Sequence, residues 1–352
     1  MTSGRPAWDV DAMRTPGRSM PATIALLAAS VATVARGAGQ RGLCAAAGTG
    51  STAPYVAVVS AYPAELAPIV AASTIERSVQ IGGRSFYVGR LGGVNVLLGL
   101  TGIGLVNAAD TTHSLLARRD VVGLVMSGTC GTRFDIGDVM VPGDLVETGR
   151  RGVFRPNPAL VAIARRAAPA LPEPLDRCTV VPPGSPTGAF VCLLTDPVVR
   201  FDAHAVSADD FGGKALPCTP GGGEIFGCDL PAPAVRGTVL APATISTQDV
   251  EDNESAAVAR VAVRRRVPFL VVRSASDGGG DPKGNRGFPA EFFDYYRIAT
   301  HNAADLTRAV VTELGRLAGD PTAAPTCRLL AGRRWQRAAR QLAAAQSQGR
   351  RP

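Results

Sequence analysis

PFLVVRSASD occupies residues 268–277 and is followed by three glycines and Asp281. Its first five residues are apolar without polar alternation, which is typical of a strand buried on both faces. In an open α/β sheet, ligands bind beyond the carboxyl ends of the strands, so Arg273, Ser276 and Asp277 are candidate site residues. A strand-to-loop turn in which Asp277 serves only as a cap is the alternative interpretation.

The composition describes a folded protein with a basic tail. The chain has 352 residues, 46% of them hydrophobic and 19% charged, which suffices for one large core or a core with an appendage. Most of the net charge of +8 comes from seven arginines after Asp320, at 328, 333, 334, 337, 340, 350 and 351. Because the body is near neutral, we expect no nucleic-acid partner. Residues 318–352 are interpreted as a basic C-terminal tail.

The first 39 residues resemble a secretory signal peptide. A basic segment precedes an apolar run from Met20 to Ala35, and small residues follow at 37–39. The run is short for a membrane span, so we expect no stable membrane insertion of the mature domain. Met13 and Met20 are alternative starts of translation, and residues 40–53 form a linker of small residues. This order predicts a secreted, periplasmic or cell-envelope protein.

The cysteines indicate an oxidising compartment. Four of the seven lie in the segment 178–228, two flank the predicted domain, and one is in a Gly-Thr-Cys-Gly turn; they are Cys178, Cys192, Cys218, Cys228, Cys44, Cys327 and Cys130. Together with the signal-like N-terminus, this distribution favours disulfides. A zinc site is the alternative, but the sequence has no short C-x-x-C pair, and we predict no metal. Cys130 is expected to be a free buried thiol.

Strands, glycine turns and helices alternate along the chain. The pattern predicts strands at 55–60, 78–81, 85–88, 94–100, 121–126, 137–146 and 237–240, and helices from Glu65, at 106–116, at 159–167, after Asp252 and at 291–317. We therefore predict an α/β fold with a three-layer, doubly wound mixed sheet over residues 54–317. Proline, glycine and cysteine dominate from about residue 155 to about residue 235, which predicts a cysteine-rich insertion.

Acidic and hydroxyl residues fall at the predicted rim of this sheet. Glu65 lies on the first helical turn after the first strand, and Thr129 follows the strand at 121–126. Glu254 lies on the apolar stripe of its helix, so it needs either a structural salt bridge or a polar ligand. Glu251 and Asp252 are interpreted as solvated and capping acids. The chain has neither a G-x-G-x-x-G dinucleotide signature nor a Walker loop, and we predict no cofactor.

Five motifs, taken in order, resemble the nucleoside phosphorylase superfamily, and within it the 5′-methylthioadenosine/S-adenosylhomocysteine nucleosidase branch. They are VAVVSAYPAEL at 56–66, TGIGLVNAA at 101–109, SGTCGT at 127–132 with GDVMVP at 137–142, DNESAAVA at 252–259, and VPFLVVRSASD at 267–277. The resemblance covers residues 54–147 and 236–316, on either side of the cysteine-rich segment. It implies the fold predicted above, a small nucleoside as the ligand, and a homodimer.

The resemblance also implies a role for individual residues. Asp277 would protonate or hydrogen-bond the purine N7, Glu65 would be the general base on water, and Glu254 would hold the ribose hydroxyls. The supporting residues are Arg273 and Thr129, which would position water and ribose, Ser276, which would orient Asp277, and Gly104, Gly128 and Asn253, which would complete the substrate pocket. N-glycosidic cleavage passes through an oxocarbenium-like state, so one carboxyl must stay protonated while another stays ionised.

The sequence favours hydrolysis over phosphorolysis. Arginines that would hold a phosphate are absent from SAYPA at 60–64 and from MSGTCG at 126–131. A phosphate-dependent phosphorylase and a non-catalytic nucleoside-binding or storage protein remain the alternatives. The family pattern Glu-Met-Glu is replaced by Asp252-Asn253-Glu254, which changes the apolar wall of the pocket. Residues 278–288 and the cysteine-rich segment are candidates for a replacement wall.

Overall fold

The computed structural model describes residues 55–118, 120–171, 174–183, 185–231 and 245–319. The signal-like segment, the linker, the strand predicted at 237–240, the tail from residue 320, Cys44 and Cys327 lie outside these ranges. No helix in the described part of the chain is both long and apolar enough to cross a membrane.

The described residues form a nine-stranded mixed sheet and a separate two-stranded hairpin. The strands are β1 Tyr55–Ser60, β2 Thr74–Ile81, β3 Arg84–Leu91, β4 Val94–Leu100, β5 Val121–Asp135, β6 Val139–Glu147, β7 Cys178–Val181, β8 Ala189–Cys192, β9 Val199–Ser207, β10 Val250–Asp252 and β11 Phe269–Gly279. The main sheet has the order β10-β9-β6-β11-β5-β1-β4-β3-β2, and β7 pairs with β8. Its centre, β11-β5-β1-β4, is parallel, while β2, β3 and β4 pair antiparallel.

Helices cover both faces of this sheet. Within the described ranges they are α1 Pro63–Ala71, α2 Leu105–Leu116, α3 Pro158–Ala167, α4 Gly223–Phe226, α5 Ser255–Arg265 and α6 Ala290–Gly319. Helices α1, α3 and α6 share one core with Val56 and Val58, whereas α2 and α5 share the other core with Ala57 and Val59. Since successive side chains of a strand point to opposite faces, β1 is buried on both sides. The predicted three-layer, doubly wound α/β fold is confirmed.

Local capping sets the start of the helices near the rim. Asn157 begins α3 by accepting the N–H of Ala159 at 2.9 Å. The Oδ1 atom of Asp252 accepts the N–H of Glu254 at 3.1 Å and that of Ser255 at 3.0 Å, the bonds of an N-terminal cap. Glu254 is therefore held at the point where β10 turns into α5.

β5 is longer than the sequence indicates. The prediction that this strand ends at Met126 is wrong, because β5 continues to Asp135. Residues 127–131 pair with β11, from Val272 opposite Ser127 to Asp277 opposite Gly131, with a register shift between Ala275 and Asp277. Backbone pairing needs no apolar side chain, so the small and hydroxyl residues of SGTCG remain part of the strand. Thr129 consequently lies within the sheet rather than on a loop.

The segment expected to be an insertion also contributes to the main sheet. Strand β9, at Val199–Ser207, lies between β6 and β10 and pairs with both in parallel. Helix α3 also belongs to the core, through Leu160 and Ile163. The predicted extent of the insertion, about 155 to 235, therefore needs correction. The helix at 159–167 was predicted, but β9 was missed, because its alternating apolar residues lie in a segment dominated by proline, glycine and cysteine.

The four clustered cysteines are paired in two disulfides. Cys178 and Cys192 cross-link the β7–β8 hairpin, and Cys218 and Cys228 close the loop that contains α4. The described residues contain no group of side chains that could hold a metal ion, and the zinc alternative is wrong for these cysteines. Cys130 is free and buried, as predicted.

Candidate active site

Glu65 is held rigidly at the junction of β1 and α1. Its carboxylate is 1% exposed. The Oε2 atom accepts the N–H of Ala61 at 2.7 Å, and Oε1 accepts the N–H of Thr129 at 2.7 Å and its hydroxyl at 3.2 Å. The hydroxyl of Tyr62 lies 2.8 Å from Thr129 Oγ1. Burial raises the pKa of Glu65, although Arg273 and these hydrogen bonds oppose the increase.

Arg273 is fully buried in the middle of β11 and pairs with three carboxylates. Its guanidinium lies 2.9 Å from Asp252 Oδ2, 3.1 Å from Glu254 Oε2 and 3.6 Å from Glu65 Oε1. It also donates hydrogen bonds to the hydroxyl of Ser255 and the carbonyl oxygen of Thr129. Burial alone would lower the pKa of Arg273, but the three carboxylates overcome this effect and raise it.

Glycine residues give these groups the space they occupy. A Cβ atom on Gly128 would lie 2.4 Å from both Arg273 Nη1 and Glu65 Oε1. A Cβ atom on Gly131 would lie 2.8 Å from Asp277 Oδ2. Cβ atoms in proteins essentially never make non-bonded contacts this short. A side chain at Gly128 would therefore displace Arg273 or Glu65, and one at Gly131 would displace Asp277.

Glu254 connects the arginine to the glycine turn before α2. Its Oε1 accepts the N–H of Gly104 at 2.9 Å, and Gly104 has a φ of +94° that favours glycine. Burial raises the pKa of Glu254 most, Arg273 lowers it, and the nearby charges of Asp252 and Glu65 raise it further. The salt-bridge interpretation of this buried acid is confirmed, and the free lone pairs of its oxygens leave room for a ligand as well.

Asp277 lies further along β11 in a different electrostatic environment. The Ser276 hydroxyl donates to Asp277 Oδ1 at 2.8 Å and also reaches the carbonyl oxygen of Cys130 at 3.2 Å. Burial is the main cause that raises the pKa of Asp277 to about 6, with smaller contributions from Glu291 and Glu251. The Ser276 hydroxyl thus contacts the residue that the family resemblance assigned to it.

Asn253 makes its contacts away from this network. When its amide is oriented to satisfy its neighbours, the nitrogen donates to Asp210 Oδ2 at 2.8 Å and to the carbonyl oxygen of Ala208 at 3.1 Å. The other predicted residues are brought together: Glu65, Thr129, Gly128, Arg273, Glu254 and Gly104 form one bonded cluster, and Ser276 and Asp277 extend it along β11.

Sequence reasoning missed Asp252 and Tyr62. The sequence predicts Asp252 only as a capping acid; the cap is correct, but the residue is also 8% exposed and faces Arg273. A buried arginine at the centre of a strand requires several anionic partners, and that requirement could have drawn attention to the second acid. No sequence pattern pointed to the contact between Tyr62 and Thr129.

An aromatic cluster adjoins Glu65. Tyr62 packs edge-on against Phe292, with ring centroids 6.2 Å apart, and Phe292 stacks on Tyr296 at 5.8 Å. Ile225, from the loop closed by Cys218 and Cys228, belongs to the same cluster. The disulfide-closed loop thus packs directly beside the turn that presents Glu65.

Parts of this chain are similar in sequence to known proteins. The family model of the phosphorylase superfamily matches residues 55–184. An uncharacterised protein of Mycobacterium tuberculosis is 32% identical over 48% of this chain and 74% of its own. The 5′-methylthioadenosine/S-adenosylhomocysteine nucleosidase of Shewanella denitrificans is 26% identical over 74% of this chain and 99% of its own.

A solved structure shows the same fold. The 5′-methylthioadenosine/S-adenosylhomocysteine nucleosidase of Colwellia psychrerythraea, in complex with adenine, aligns with a TM-score of 0.52 at 21% identity, covering 74% of this chain and 96% of that one. The chain belongs to the nucleoside phosphorylase superfamily. Within that superfamily it resembles the 5′-methylthioadenosine/S-adenosylhomocysteine nucleosidases.

Proposed function

We propose that the protein hydrolyses the N-glycosidic bond of a purine nucleoside, adenosine-like or 5′-substituted, and releases free base and sugar. One observation carries the proposal: two buried carboxyls of the site, Glu65 and Asp277, have unequal environments. Burial raises the pKa of both carboxyls, but Glu65 accepts three hydrogen bonds and lies beside Arg273, which oppose the increase, whereas Asp277 accepts one hydroxyl. Unequal carboxyls of this kind divide the roles of base and acid.

In the proposed reaction, the protonated Asp277 gives its proton to N7 of the purine while the bond between base and sugar breaks. The sugar develops oxocarbenium character, and a water molecule attacks its anomeric carbon. Glu65 takes a proton from that water as the new C–O bond forms. Arg273 stays protonated throughout and offsets the negative charge of the carboxylates around it.

Glu254 is suited to bind the ribose hydroxyls. Gly104 and Arg273 each occupy one of its oxygens, and each carboxylate oxygen can accept a further bond. Two donors of fixed position keep the carboxylate oriented before substrate arrives, which lowers the cost of ordering it. The aromatic cluster of Tyr62, Phe292 and Tyr296 supplies an apolar wall beside Glu65.

The charge around Arg273 favours water over phosphate as the nucleophile. Three carboxylates surround this guanidinium, so little positive charge is left for a phosphate dianion. A specific observation keeps phosphorolysis as the second candidate. Arg84 donates to Asn107 Oδ1 at 2.9 Å, and its guanidinium lies 3.1 Å from the position of a Cβ atom on Gly102, beside the glycine turn of the site.

The experiment that separates these functions is a nucleoside panel. Purified, oxidised protein is incubated with each nucleoside, with and without phosphate, and free base and sugar are followed by chromatography. Phosphate-independent release of base and free ribose is expected. Ribose 1-phosphate as the product would establish a phosphorylase, and tight calorimetric binding without base release would establish a binding protein.

Variants test the assigned roles. Glu65→Gln and Asp277→Asn each remove a general acid or base. Such a group accelerates a reaction by about 10²- to 10⁴-fold, so turnover should fall by that factor. The matched controls are Glu313→Gln and Asp196→Asn, which change carboxylates paired with Arg316 and Arg177 away from the site. Base release in both site variants at the wild-type rate would refute the assignment.

We propose that the enzyme works in an oxidising compartment outside the cytoplasm. The disulfides Cys178–Cys192 and Cys218–Cys228 support this location, since such bonds are rare where thiols are kept reduced. Cell fractionation, with alkylation of free thiols before mass spectrometry, should recover the protein outside the cytoplasm with both pairs oxidised. The predicted homodimer is tested separately by light scattering.

A further inference from the structure

Glu291 is a buried carboxylate that the proposed reaction leaves without a role. It lies in the first turn of α6 and is 2% exposed. Its Oε2 accepts the N–H of Gly278 at 2.7 Å, and its Oε1 accepts the N–H of Gly287 at 2.7 Å. One side chain therefore ties down both ends of the glycine-rich loop that follows Asp277.

The position of Glu291 couples it to Asp277. The N–H of Gly278 belongs to the peptide bond that Asp277 itself begins, so Glu291 fixes the backbone of the proposed acid. The negative charge of Glu291 also contributes to the raised pKa of Asp277, after burial. Glu251 adds a smaller contribution from β10, where it pairs with Gly131, the residue opposite Asp277 on β5.

The other titratable groups around this pair are Cys130, Asp281 and Tyr295. Burial raises the pKa of the Cys130 thiol well above its ordinary value, so this thiol is neutral. Burial also raises the pKa of Tyr295, whose hydroxyl donates to Asp281. Asp281 is held by backbone N–H groups of its own loop. Burial raises the pKa of Glu291 most, the N–H groups of Gly287 and Gly278 lower it, and the charge of Asp281 raises it further.

Hydrogen bonding decides which carboxyl of the pair keeps the proton. Glu291 accepts two backbone N–H groups and lies at a helix N-terminus, and both features favour its charged form. Asp277 accepts one side-chain hydroxyl, from Ser276. When two like charges are close, the group with fewer donors takes the proton.

We propose that Glu291 is a positioning residue for Asp277: it holds the peptide that follows Asp277 and carries the negative charge of the pair, which leaves the proton on Asp277 for the departing base. This inference rests on the proposed nucleosidase function and adds to it the means by which the acid stays protonated. Glu291 itself touches no reacting atom.

The test is the pH dependence of kcat/KM for Glu291→Gln, which reports groups of the free enzyme. Removing the charge should move the alkaline limb of the pH profile, along which kcat/KM falls, to lower pH by about one unit. At pH values above that limb, kcat/KM should be about tenfold lower than in the wild type. Glu291→Asp shortens the side chain but keeps the charge, so its limb should stay near the wild-type position. Glu313→Gln, the same change in another turn of α6, should leave the whole profile unchanged.

A purely structural role predicts a different result. If Glu291 only braced the loop, Glu291→Gln would lower kcat/KM by the same factor at every pH, and an unmoved limb would overturn the proposal. Should Glu291→Gln fail to fold, carboxyl NMR of the wild-type protein provides a second measurement. Glu291 should lose its proton at lower pH than Asp277, and the reverse order would overturn the proposal.

Failure of the nucleosidase function is distinguishable from failure of this inference. Carboxyl NMR of protein labelled at aspartate or glutamate measures the titration of Asp277 and Glu291 without any substrate. If the wild type releases no base from any nucleoside, the proposed function is wrong. The titration of Asp277 in Glu291→Gln then still decides whether the two carboxyls are coupled. A shift of this titration to lower pH shows coupling, and an unchanged titration excludes it.

Discussion

The Nε atom of Arg273 lies 2.9 Å from Oδ2 of Asp252, and this contact joins the centre of β11 to the start of α5. The two oxygens of Asp252 have separate partners. Oδ1 accepts the Ser207 hydroxyl at 2.5 Å and caps the helix, whereas Oδ2 has only the ionic contact, since Arg273 Nε donates its hydrogen bond to Ser255. Asp252 therefore sets both the position of Glu254 and the charge balance of the site.

Asp252→Asn should destabilise the protein. Asparagine retains an oxygen for the cap but turns a neutral amide toward Arg273, which leaves the buried guanidinium with two of its three carboxylates. We expect the free energy of unfolding in urea to fall by about 2 kcal/mol, less than the loss for a single buried pair that is broken completely. Asp196→Asn removes a surface ion pair instead and should cost less than about 1 kcal/mol. Equal stability of the two variants would contradict this account.

Gly128→Ala should disrupt the pairing of Glu65 with Arg273. The added methyl would lie 2.4 Å from both side chains, and overpacking of this kind costs about 1–3 kcal/mol. Activity should be lost with it, because the general base is displaced.

A double-mutant cycle with Glu65→Ala identifies the cause of the Gly128→Ala effect. Without the Glu65 side chain, one of the two clashes is absent and the Arg273 guanidinium has room to move, so the cost of Gly128→Ala should fall by at least about 0.5 kcal/mol. Additive unfolding energies would show that the clash lies elsewhere.

Asp277→Asn should stabilise the protein at neutral pH while it abolishes turnover. The folded-state pKa of Asp277 is raised from 3.8 to about 6, so the native state holds this proton more tightly than the unfolded chain. The contribution of Asp277 to the free energy of unfolding is therefore fully present at low pH, and it is lost as pH rises from about 4 through about 6. Asparagine, which cannot ionise, avoids the loss.

Thermal or urea unfolding at two pH values measures this effect. Relative to wild type, Asp277→Asn should gain about 2 kcal/mol more at pH 7.5 than at pH 4.5. The surface variant Asp196→Asn should show no such difference. A gain that is independent of pH would mean that Asp277 is not the titrating group.

The two disulfides should differ in their effect on substrate binding. Cys218–Cys228 closes the loop that packs Ile225 beside Tyr62. Two residues before this loop, the carbonyl oxygen of Leu216 accepts the Asn107 amide at 2.6 Å. Cys178–Cys192 cross-links the β7–β8 hairpin instead. Replacing either pair by serine should lower the free energy of unfolding by about 2–4 kcal/mol.

Only the Cys218→Ser, Cys228→Ser pair should also raise KM, by about tenfold, which is the cost of about 1.4 kcal/mol for ordering the freed loop. The serine variant of Cys178 and Cys192 is the matched control. An equal rise of KM in both variants would show that the loop at 218–228 has no special part in substrate binding.

Much of the fold and the site could be predicted because each feature has a local signal. Continuous apolar runs such as Phe269–Val272 predict strands buried on both faces, and an acid on the buried stripe of α5 predicts a paired or ligand-binding carboxylate. The alternation of strands and helices then brings Glu65, Thr129 and Asp277 to one rim, because parallel strands share the edge at which they end.

The sequence by itself therefore determined the central strands, the helical layers and the candidate acids Glu65, Glu254 and Asp277, since hydrophobic periodicity and strand direction are properties of the chain. Only the tertiary structure decided how the charges are shared. Which three carboxylates surround Arg273, that β9 enters the sheet, and that Glu291 reaches back to the peptide after Asp277 all depend on contacts between distant segments. The energies of buried charges depend on distance and burial in three dimensions, and no spacing along the chain encodes them.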